Sequence, residues 1–239
     1  MTQPEVIRFS SDLALADAAA SDWLQLVPIG ANASRPWLVA LSGGRIVRRF
    51  FQASVALCTS RNLSLDAVHF FWGDERCVPP DHAESNYAIA RAELLDPLKI
   101  SEQNIHRIHG EETPESAARA AADALQCIAA ASANELPAFD LIFLGMGEDG
   151  HVASLFPGES SAAADSPALY RPVVAAKPPP NRITIGYHVI AAARRVWVLA
   201  SGPGKIDALR KSLSPEGRTP LARVIRSRQQ TRIFTDIPV

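Results

Sequence analysis

"FDLIFLGMGEDGH" (139–151) joins a short apolar run to a glycine-rich turn, the pattern of a buried β-strand that ends at a loop. Similar apolar runs alternate along the chain with longer segments of helical periodicity. The predicted strands are 6–9, 37–41, 67–72, 104–108, 139–145, 171–176, 182–187, 194–200 and 231–236, the last of them at a sheet edge. The predicted helices are 12–27, 46–59, 85–98, 114–132 and 205–213. This alternation predicts one α/β domain over residues 1–239, with a doubly wound, mostly parallel sheet flanked by helices in a Rossmann-like three-layer sandwich.

The glycines of the opening turn, Gly145, Gly147 and Gly150, also spell G-x-G-x-x-G, a pattern found in dinucleotide-binding turns. A dinucleotide site needs a long helix after the third glycine and an acidic residue about 20 positions on, behind a second strand. Here Pro157 interrupts the chain within two turns, and Asp165 lies in a predicted loop with no strand before it. The context therefore argues against a dinucleotide at this turn.

The composition restricts the class of partner. A formal net charge of −1 provides no global field that attracts nucleic acid or anionic membranes. No apolar run approaches the roughly 20 residues of a membrane span, and the N-terminal segment lacks the basic start and apolar core of a signal peptide. The three cysteines show no C-x-x-C spacing, which fits a reducing compartment. We therefore expect a cytoplasmic protein without nucleic-acid or membrane partners, and we expect a monomer.

Four of the predicted strands end in loops that combine glycine with ionisable side chains. In an open parallel sheet, ligands bind outside the carboxyl ends of the strands. The loops in question are 42–45, 73–76, 145–151 and 201–205. One such loop is weak evidence for a site, but four at equivalent positions predict one polar pocket.

The predicted ligand of this pocket is a small phosphate ester. A glycine loop leads into the helix after the second strand, where free backbone N–H groups and the positive dipole end suit a phosphate. Arginine and lysine side chains from other strand ends add permanent positive charge. Each cation alone is typical of a solvated surface, but together they favour an anion site. The predicted phosphate-binding residues are Ser42, Gly43, Gly44, Arg76, Arg182 and Lys205.

The acidic residues and the histidine of these loops are candidates for acid–base chemistry. His151 follows Asp149 and Gly150, and a histidine that titrates near neutral pH beside a carboxylate suits a general base. We expect Asp149 to orient the imidazole. Asp74 and Glu75 are predicted to bind sugar hydroxyls or to hold Arg76. No group of histidine, aspartate and glutamate has metal-ligand spacing, so the sequence predicts no metal site.

Two motifs of these loops resemble the 6-phosphogluconolactonase family. They are "WGDERCVPPDHAESNY" (72–87) and "GMGEDGHVASLFPG" (145–158), and "NRITIGYHVIAAARRVWVLASGPGK" (181–205) is similar to the C-terminal part of that family. The resemblance extends from about Leu38 to Lys205. It implies hydrolysis of 6-phospho-D-glucono-1,5-lactone to 6-phospho-D-gluconate, a step of the oxidative pentose phosphate pathway, without cofactor or metal. His151 would then activate water for attack on the lactone.

The first phosphate loop departs from the family pattern. That loop usually reads "SGGSTP", whereas this chain has Arg45, Ile46 and Val47 after the two glycines. Two hydroxyls that could bind the phosphate are therefore missing. We expect Arg45 to face the pocket and to replace them with charge, because a cation near a helix N-terminus is better tolerated beside a bound anion.

Two alternative functions stay open on the sequence. The related amino-sugar-phosphate deaminases and isomerases resemble this chain, but their loops read "DEY" and "GHIAFNEP", whereas here Arg76 stands in place of the tyrosine and "SLFPG" replaces "FNEPG". A non-catalytic sugar-phosphate sensor is the other alternative. A sensor of the transcription-regulator type needs a DNA-binding module, and the roughly 36 residues before the strand at 37–41 contain no helix-turn-helix pattern or basic cluster.

Overall fold

The computed structural model describes residues 3–27, 35–129 and 136–239. In these ranges the strands are β1 (Glu5–Arg8), β2 (Trp37–Leu41), β3 (Val68–Trp72), β4 (Asp74–Arg76), β5 (Leu141–Gly145), β6 (Tyr170–Val174), β7 (Asn181–Ile185), β8 (Val196–Ala200) and β9 (Arg232–Thr235). The α-helices are α1 (Asp12–Leu26), α2 (Arg45–Arg61), α3 (Asn86–Ala90), α4 (Pro114–Ile128), α5 (Ser161–Ala164), α6 (Tyr187–Ala192), α7 (Ile206–Leu213) and α8 (Pro220–Arg226). A π-helical turn, Arg91–Leu95, continues α3.

The main sheet has the strand order β1-β9-β8-β5-β2-β3, and every pairing within it is parallel. Helices flank this sheet, which confirms the predicted fold class. Strands β2 and β8 are buried along their whole length, as expected for parallel strands covered on both faces. Aromatic rings pack around Trp23 of α1, which lies 6.0 Å from both Phe50 and Phe143 between ring centroids.

The strand order reverses direction between β2 and β5. The chain proceeds from β2 to the edge strand β3, whereas β5 lies on the other side of β2 and leads on to β8. The carboxyl ends of β2 and β5 therefore diverge into two loops, the usual place for a ligand in a doubly wound sheet. A hydrogen bond of 3.0 Å from the Gly145 N–H to the Ser42 Oγ joins these two loops.

A second, antiparallel sheet is present that the sequence did not predict. It has the order β4-β7-β6, and its short strand β4 directly follows β3 after Gly73. In its register, Asp74 pairs with Thr184 and Arg76 pairs with Arg182. This sheet therefore brings the loop after β3 next to the strand that carries Arg182.

Two strand predictions were wrong. The segment 104–108 forms only an isolated parallel bridge between Phe70 and Ile105 instead of a strand: Asn104 ends a 3-10 turn, and the backbone contact with β3 is limited to Ile105 and the His106 N–H. Strand β9 is an interior strand between β1 and β8 instead of an edge strand.

The predicted helix 114–132 ends at Ile128, and its last residues, 130–132, lie outside the described part. None of the helices in the described ranges is long and apolar enough to cross a bilayer.

Candidate active site

A cleft of about 1220 Å³ opens at the carboxyl ends of the parallel strands, and a narrower cavity adjoins it. Together they form what is called here the site cleft. All but one of the predicted site residues line it: Ser42, Gly43, Gly44, Arg45, Asp74, Arg76, Asp149, His151, Arg182 and Lys205. Glu75 is the exception. The four predicted loops therefore do converge on one polar space.

The turn after β5 folds back and presents His151 beside Asp149. The Gly147 N–H donates to the His151 carbonyl at 2.9 Å, which closes the turn. A Cβ at Gly147 would lie 2.1 Å from the imidazole, so only glycine leaves room for that ring at its place. The glycines thus shape a loop around a histidine, and they do not open a nucleotide-binding helix.

The imidazole of His151 is held through one nitrogen. Its Nδ1 lies 2.6 Å from Oδ1 of Asp149, and the same oxygen accepts the His151 backbone N–H at 3.1 Å. Partial burial by itself raises the pKa of Asp149, but the backbone and ring of His151 outweigh this effect, and the pKa lies below its ordinary value. Asp149 is therefore a carboxylate that can fix the ring with Nδ1 protonated, which leaves Nε2 as the free base.

Phe156 connects this histidine to an arginine. Its ring centroid lies 5.0 Å from that of His151, and the guanidinium of Arg182 lies 5.7 Å from the same ring. Arg182 is nearly buried, and its Nε donates to the Pro179 carbonyl at 3.1 Å. Arg182 and His151 therefore both lie against Phe156, and both line the narrower cavity.

The cations of the site cleft form two pairs of like charge. Burial lowers the pKa of Lys205 and the charge of Arg45 lowers it further, so these two side chains are close. Burial likewise lowers the pKa of Arg182, and Arg76 adds to that shift. Acidic groups act in the opposite direction: Glu148 and Asp236 on the pKa of Lys205, and Asp74 and Glu84 on that of Arg182. Arg76 itself lies 3.4 Å from the Glu84 carboxylate. The four cations line one narrow cavity, and an anion among them reduces their mutual repulsion, so this cavity is suited to a negatively charged group.

The first pair lies beside the N-terminus of α2. This helix runs for 17 residues from Arg45, and no side chain caps its first turn. Its N-cap is Gly44, so the first backbone N–H groups face the cleft without a side-chain acceptor. Arg45 is among the residues that line the cleft, at the position where the family pattern has a hydroxyl; whether it binds the phosphate in place of that hydroxyl stays a prediction.

Asp74 and Glu75 take different places. Asp74 is buried at the floor of the narrower cavity, where the Ser154 hydroxyl donates to its Oδ2 at 2.7 Å. Glu75 points away from the cleft and accepts the backbone N–H groups of Arg76, Asn86 and Tyr87, each at 2.8 Å. Glu75 therefore holds the backbone of Arg76 and the start of α3. Burial raises its pKa, and these hydrogen bonds act in the opposite direction.

The family model described as glucosamine-6-phosphate isomerases/6-phosphogluconolactonase matches residues 10–234, which is nearly the whole chain. The chain belongs to this family. Within the isomerase/lactonase family, it is 38% identical over 188 residues to a 6-phosphogluconolactonase of Treponema pallidum, a match that covers 77% of this chain and 76% of the relative. The human 6-phosphogluconolactonase is 37% identical, with 80% and 74% covered.

A solved structure of the same family has the same fold. The 6-phosphogluconolactonase from Trypanosoma cruzi superposes with a TM-score of 0.81 and 27% identity, and the match covers 98% of this chain and 96% of that one. These relatives identify the chain as an enzyme on the lactonase side of the isomerase/lactonase family.

The sequence analysis missed two residues that line the site cleft, Phe156 and Asn86, and also Ser154, which is bonded to Asp74 behind the cleft surface. Phe156 and Ser154 belong to the motif 145–158 that carries the family resemblance, so their presence there was the available signal. Asn86 lines the narrower cavity, is 1% exposed, and belongs to the other motif of the resemblance, 72–87, which was the signal available for it. Two of its contacts, with Asp74 and Glu75, lie within that motif, whereas its contact with Gly43 joins two separate loops and follows from no local pattern.

Proposed function

We propose that this protein hydrolyses 6-phospho-D-glucono-1,5-lactone to 6-phospho-D-gluconate. The observation that carries the proposal is the His151–Asp149 pair in a cleft whose narrower cavity is also lined by four cations, Arg45, Arg76, Arg182 and Lys205. The substrate carries a phosphate, and the reaction creates a second anionic group, a carboxylate, at C1. A site with a base and several cations around one cavity suits that chemistry.

The phosphate binds at the N-terminus of α2. The backbone N–H groups after Gly44, the guanidinium of Arg45 and the ammonium group of Lys205 converge there. A phosphate dianion removes the repulsion between the two side chains and complements the helix dipole. In this arrangement, the phosphate is the main group by which the site binds the substrate.

The lactone carbonyl then lies toward Arg76 and Arg182. This orientation is supported by Phe156, whose ring lies against both Arg182 and His151, and by the narrower cavity, which Arg76, Arg182 and His151 all line. Fixed positive charge near C1 stabilises the oxyanion of the tetrahedral intermediate and the carboxylate of the product.

In the reaction, Nε2 of His151 removes a proton from water, and the water oxygen forms a bond to C1. The pair of electrons of the C1 carbonyl moves to its oxygen. The intermediate collapses when the bond from C1 to the ring oxygen breaks, and the imidazolium of His151 returns its proton to that oxygen. Asp149 stabilises the imidazolium between the two transfers, and the new carboxylic acid releases its proton to solvent.

The proposal is tested with lactone generated in the cuvette from glucose 6-phosphate by its dehydrogenase. Addition of the protein is expected to accelerate the disappearance of the lactone far above its spontaneous hydrolysis, and His151→Ala is expected to abolish most of the gain. Release of ammonia from glucosamine 6-phosphate would support the deaminase alternative instead. Tight binding of 6-phosphogluconate without any turnover would support a sensor.

A further inference from the structure

Asn86 connects three segments of the site cleft. Its side-chain Nδ2 donates to the Asp74 carbonyl at 2.9 Å and lies 3.4 Å from the Asp74 Oδ1. Its backbone N–H donates to Glu75 at 2.8 Å. The other end of the same amide, Oδ1, is buried and has no hydrogen-bond partner among the residues that the structure describes. Buried acceptors of this kind are rare and call for an explanation.

The neighbour of this oxygen is Gly43 of the loop before α2. A Cβ built at Gly43 would lie 1.9 Å from Oδ1 and 2.7 Å from Cγ of Asn86, far inside contact distance. The amide therefore packs against the Cα of Gly43, where a Cα–H group is a weak hydrogen-bond donor. Rotation of the Asn86 side chain away from this contact would break its hydrogen bonds to Asp74.

The loop around Gly43 is thus held from two sides. The Ser42 hydroxyl accepts the Gly145 N–H at 3.0 Å, which fixes the loop to the end of β5. Asn86 fixes it from α3 and relates it to Asp74 on the floor of the narrower cavity. The contacts described above join Asn86 to Asp74, Glu75 and Gly43, and none of them requires that Asn86 itself take part in the reaction.

We infer that Asn86 is a positioning residue that sets the place of the loop Ser42–Arg45, and thereby of the phosphate, relative to the rest of the site cleft. This inference rests on the proposed function, which assigns the phosphate to that loop. A positioning role for Asn86 differs from a merely structural one, because it predicts that substitution of Asn86 weakens phosphate binding selectively. Loss of a buried asparagine elsewhere in the fold would not have that effect.

The first experiment compares Asn86→Ala with Asn104→Ala. Asn104 is also a buried asparagine whose Nδ2 donates to a backbone carbonyl, that of Asp66, but it lies outside the site cleft. We expect Asn86→Ala to raise KM for the phosphorylated lactone and the inhibition constant of inorganic phosphate by roughly tenfold, the effect of one lost interaction. Efficiency on glucono-1,5-lactone without phosphate is expected to fall much less. Asn104→Ala is expected to leave all three quantities near the wild-type values.

The second experiment uses the close contact between Asn86 and Gly43, in which the large side chain of one residue fills the space beside the other. Gly43→Ala is expected to weaken phosphate binding because the new Cβ displaces the loop. Asn86→Ala added to Gly43→Ala removes the atoms that the Cβ meets and is expected to recover at least about twofold of the lost affinity, as for residues in direct contact. If Asn86→Ala does not fold, Asn86→Ser replaces it in both experiments.

The inference is overturned if Asn86→Ala lowers only the melting temperature, with unchanged KM and phosphate inhibition. It is equally overturned if the effects of the two substitutions simply add. Titration of the same variants with 6-phosphogluconate by calorimetry measures anion affinity without turnover. A wild-type protein that fails to hydrolyse the lactone would therefore defeat the proposed function, while the calorimetric comparison would still decide the role of Asn86.

Discussion

Oδ1 of Asp149 lies 2.6 Å from Nδ1 of His151 and also accepts the backbone N–H of that histidine. One carboxylate oxygen thus fixes both the ring and the backbone of the residue that we propose as the base. Such a bond sets the tautomer, stabilises the imidazolium formed in the reaction, and leaves Nε2 free to accept a proton.

Substitution of His151 by alanine is expected to lower kcat by roughly 10²–10⁴-fold, the usual contribution of a positioned base. Asp149→Asn is expected to lower kcat less, because the imidazole keeps its place against Phe156 but loses the charge that stabilises its protonated form. His109→Ala is the matched control, since His109 lies outside the site cleft beside Glu111. A His151→Ala enzyme with near-normal turnover would remove this residue from the mechanism.

Substitution of Gly147 by alanine is expected to lower kcat with little change in KM. The new Cβ would lie 2.1 Å from the His151 ring and 2.8 Å from Asp149 Oδ1, so the imidazole must move while the cations of the cleft stay in place. A displacement of about 1 Å can cost roughly 10²-fold in rate. Steady-state kinetics beside Gly73→Ala, where an added Cβ meets no heavy atom closer than 3.5 Å, provide the comparison. Equal kcat in both variants would contradict the prediction.

The phosphate is expected to dominate the choice of substrate. Glucono-1,5-lactone without phosphate is expected to react with kcat/KM lower by at least ~10²-fold, about 2.7 kcal/mol of transition-state binding. In Lys205→Ala the ratio of the kcat/KM values for the two lactones is expected to decrease, because the ammonium group that attracts the phosphate is missing. Equal efficiency of the wild-type protein on both lactones would exclude phosphate recognition as the basis of specificity.

The stability of the fold is expected to depend on pH through a pair of histidines at the edge strand β3. Nδ1 of His69 lies 2.9 Å from Nε2 of His106, and burial, with a smaller contribution from His69, lowers the pKa of His106 to about 4. An unfolded histidine has a pKa of about 6.5, so below that pH the unfolded chain binds a proton that the folded protein does not. The free energy of unfolding is therefore expected to fall as the pH decreases from about 6.5 to about 4.

Urea titrations at a series of pH values measure this effect, with His106→Gln as the comparison. Glutamine can still form a hydrogen bond with His69 but does not titrate. The difference in unfolding free energy between wild type and variant is expected to be flat above pH 6.5 and to change below it. Parallel curves throughout the acid range would show that His106 is not responsible.

Local sequence patterns predicted those strands and loops whose formation depends on the neighbouring sequence alone. Strands β2, β5 and β8 are apolar runs followed by glycine, and the loops after them do line one cleft. Strand β4 consists of three charged residues, Asp74–Arg76, and becomes a strand only because β7 pairs with it. The interior place of β9 likewise depends on long-range pairing with β1 and β8, which no local periodicity encodes.

The same contrast between local patterns and long-range contacts applies to the residues of the site cleft. The sequence predicted which cations belong to the site cleft, since each follows a strand or a rigid loop. It could not predict that Arg45 lies near Lys205 and Arg76 near Arg182, because these pairs join residues more than 100 positions apart. The contact of Asn86 with Gly43 was hidden because it too is formed only when separate loops meet in the folded protein.

Arg45 is the position where this chain departs from the family pattern, and its substitution tests whether charge has replaced the missing hydroxyls. It lines the site cleft and lowers the pKa of Lys205, so both cations face the same space. A charge-assisted hydrogen bond contributes about 1.5–3 kcal/mol, against roughly 0.5–1.5 for a neutral one. Arg45→Ala is therefore expected to raise KM for the phosphorylated lactone by roughly tenfold or more, and Arg45→Ser to recover only part of the loss.

The control for Arg45 is Arg48→Ala, one turn further along α2. Arg48 pairs with Glu93 and lines no part of the site cleft, so the same loss of charge on the same helix is expected to leave KM unchanged. Measurements at low and high ionic strength separate direct contact from long-range attraction, because salt screens the second far more strongly than the first. An Arg45→Ala enzyme with the KM of the wild type at both salt concentrations would show that the backbone N–H groups of the loop and Lys205 bind the phosphate without it.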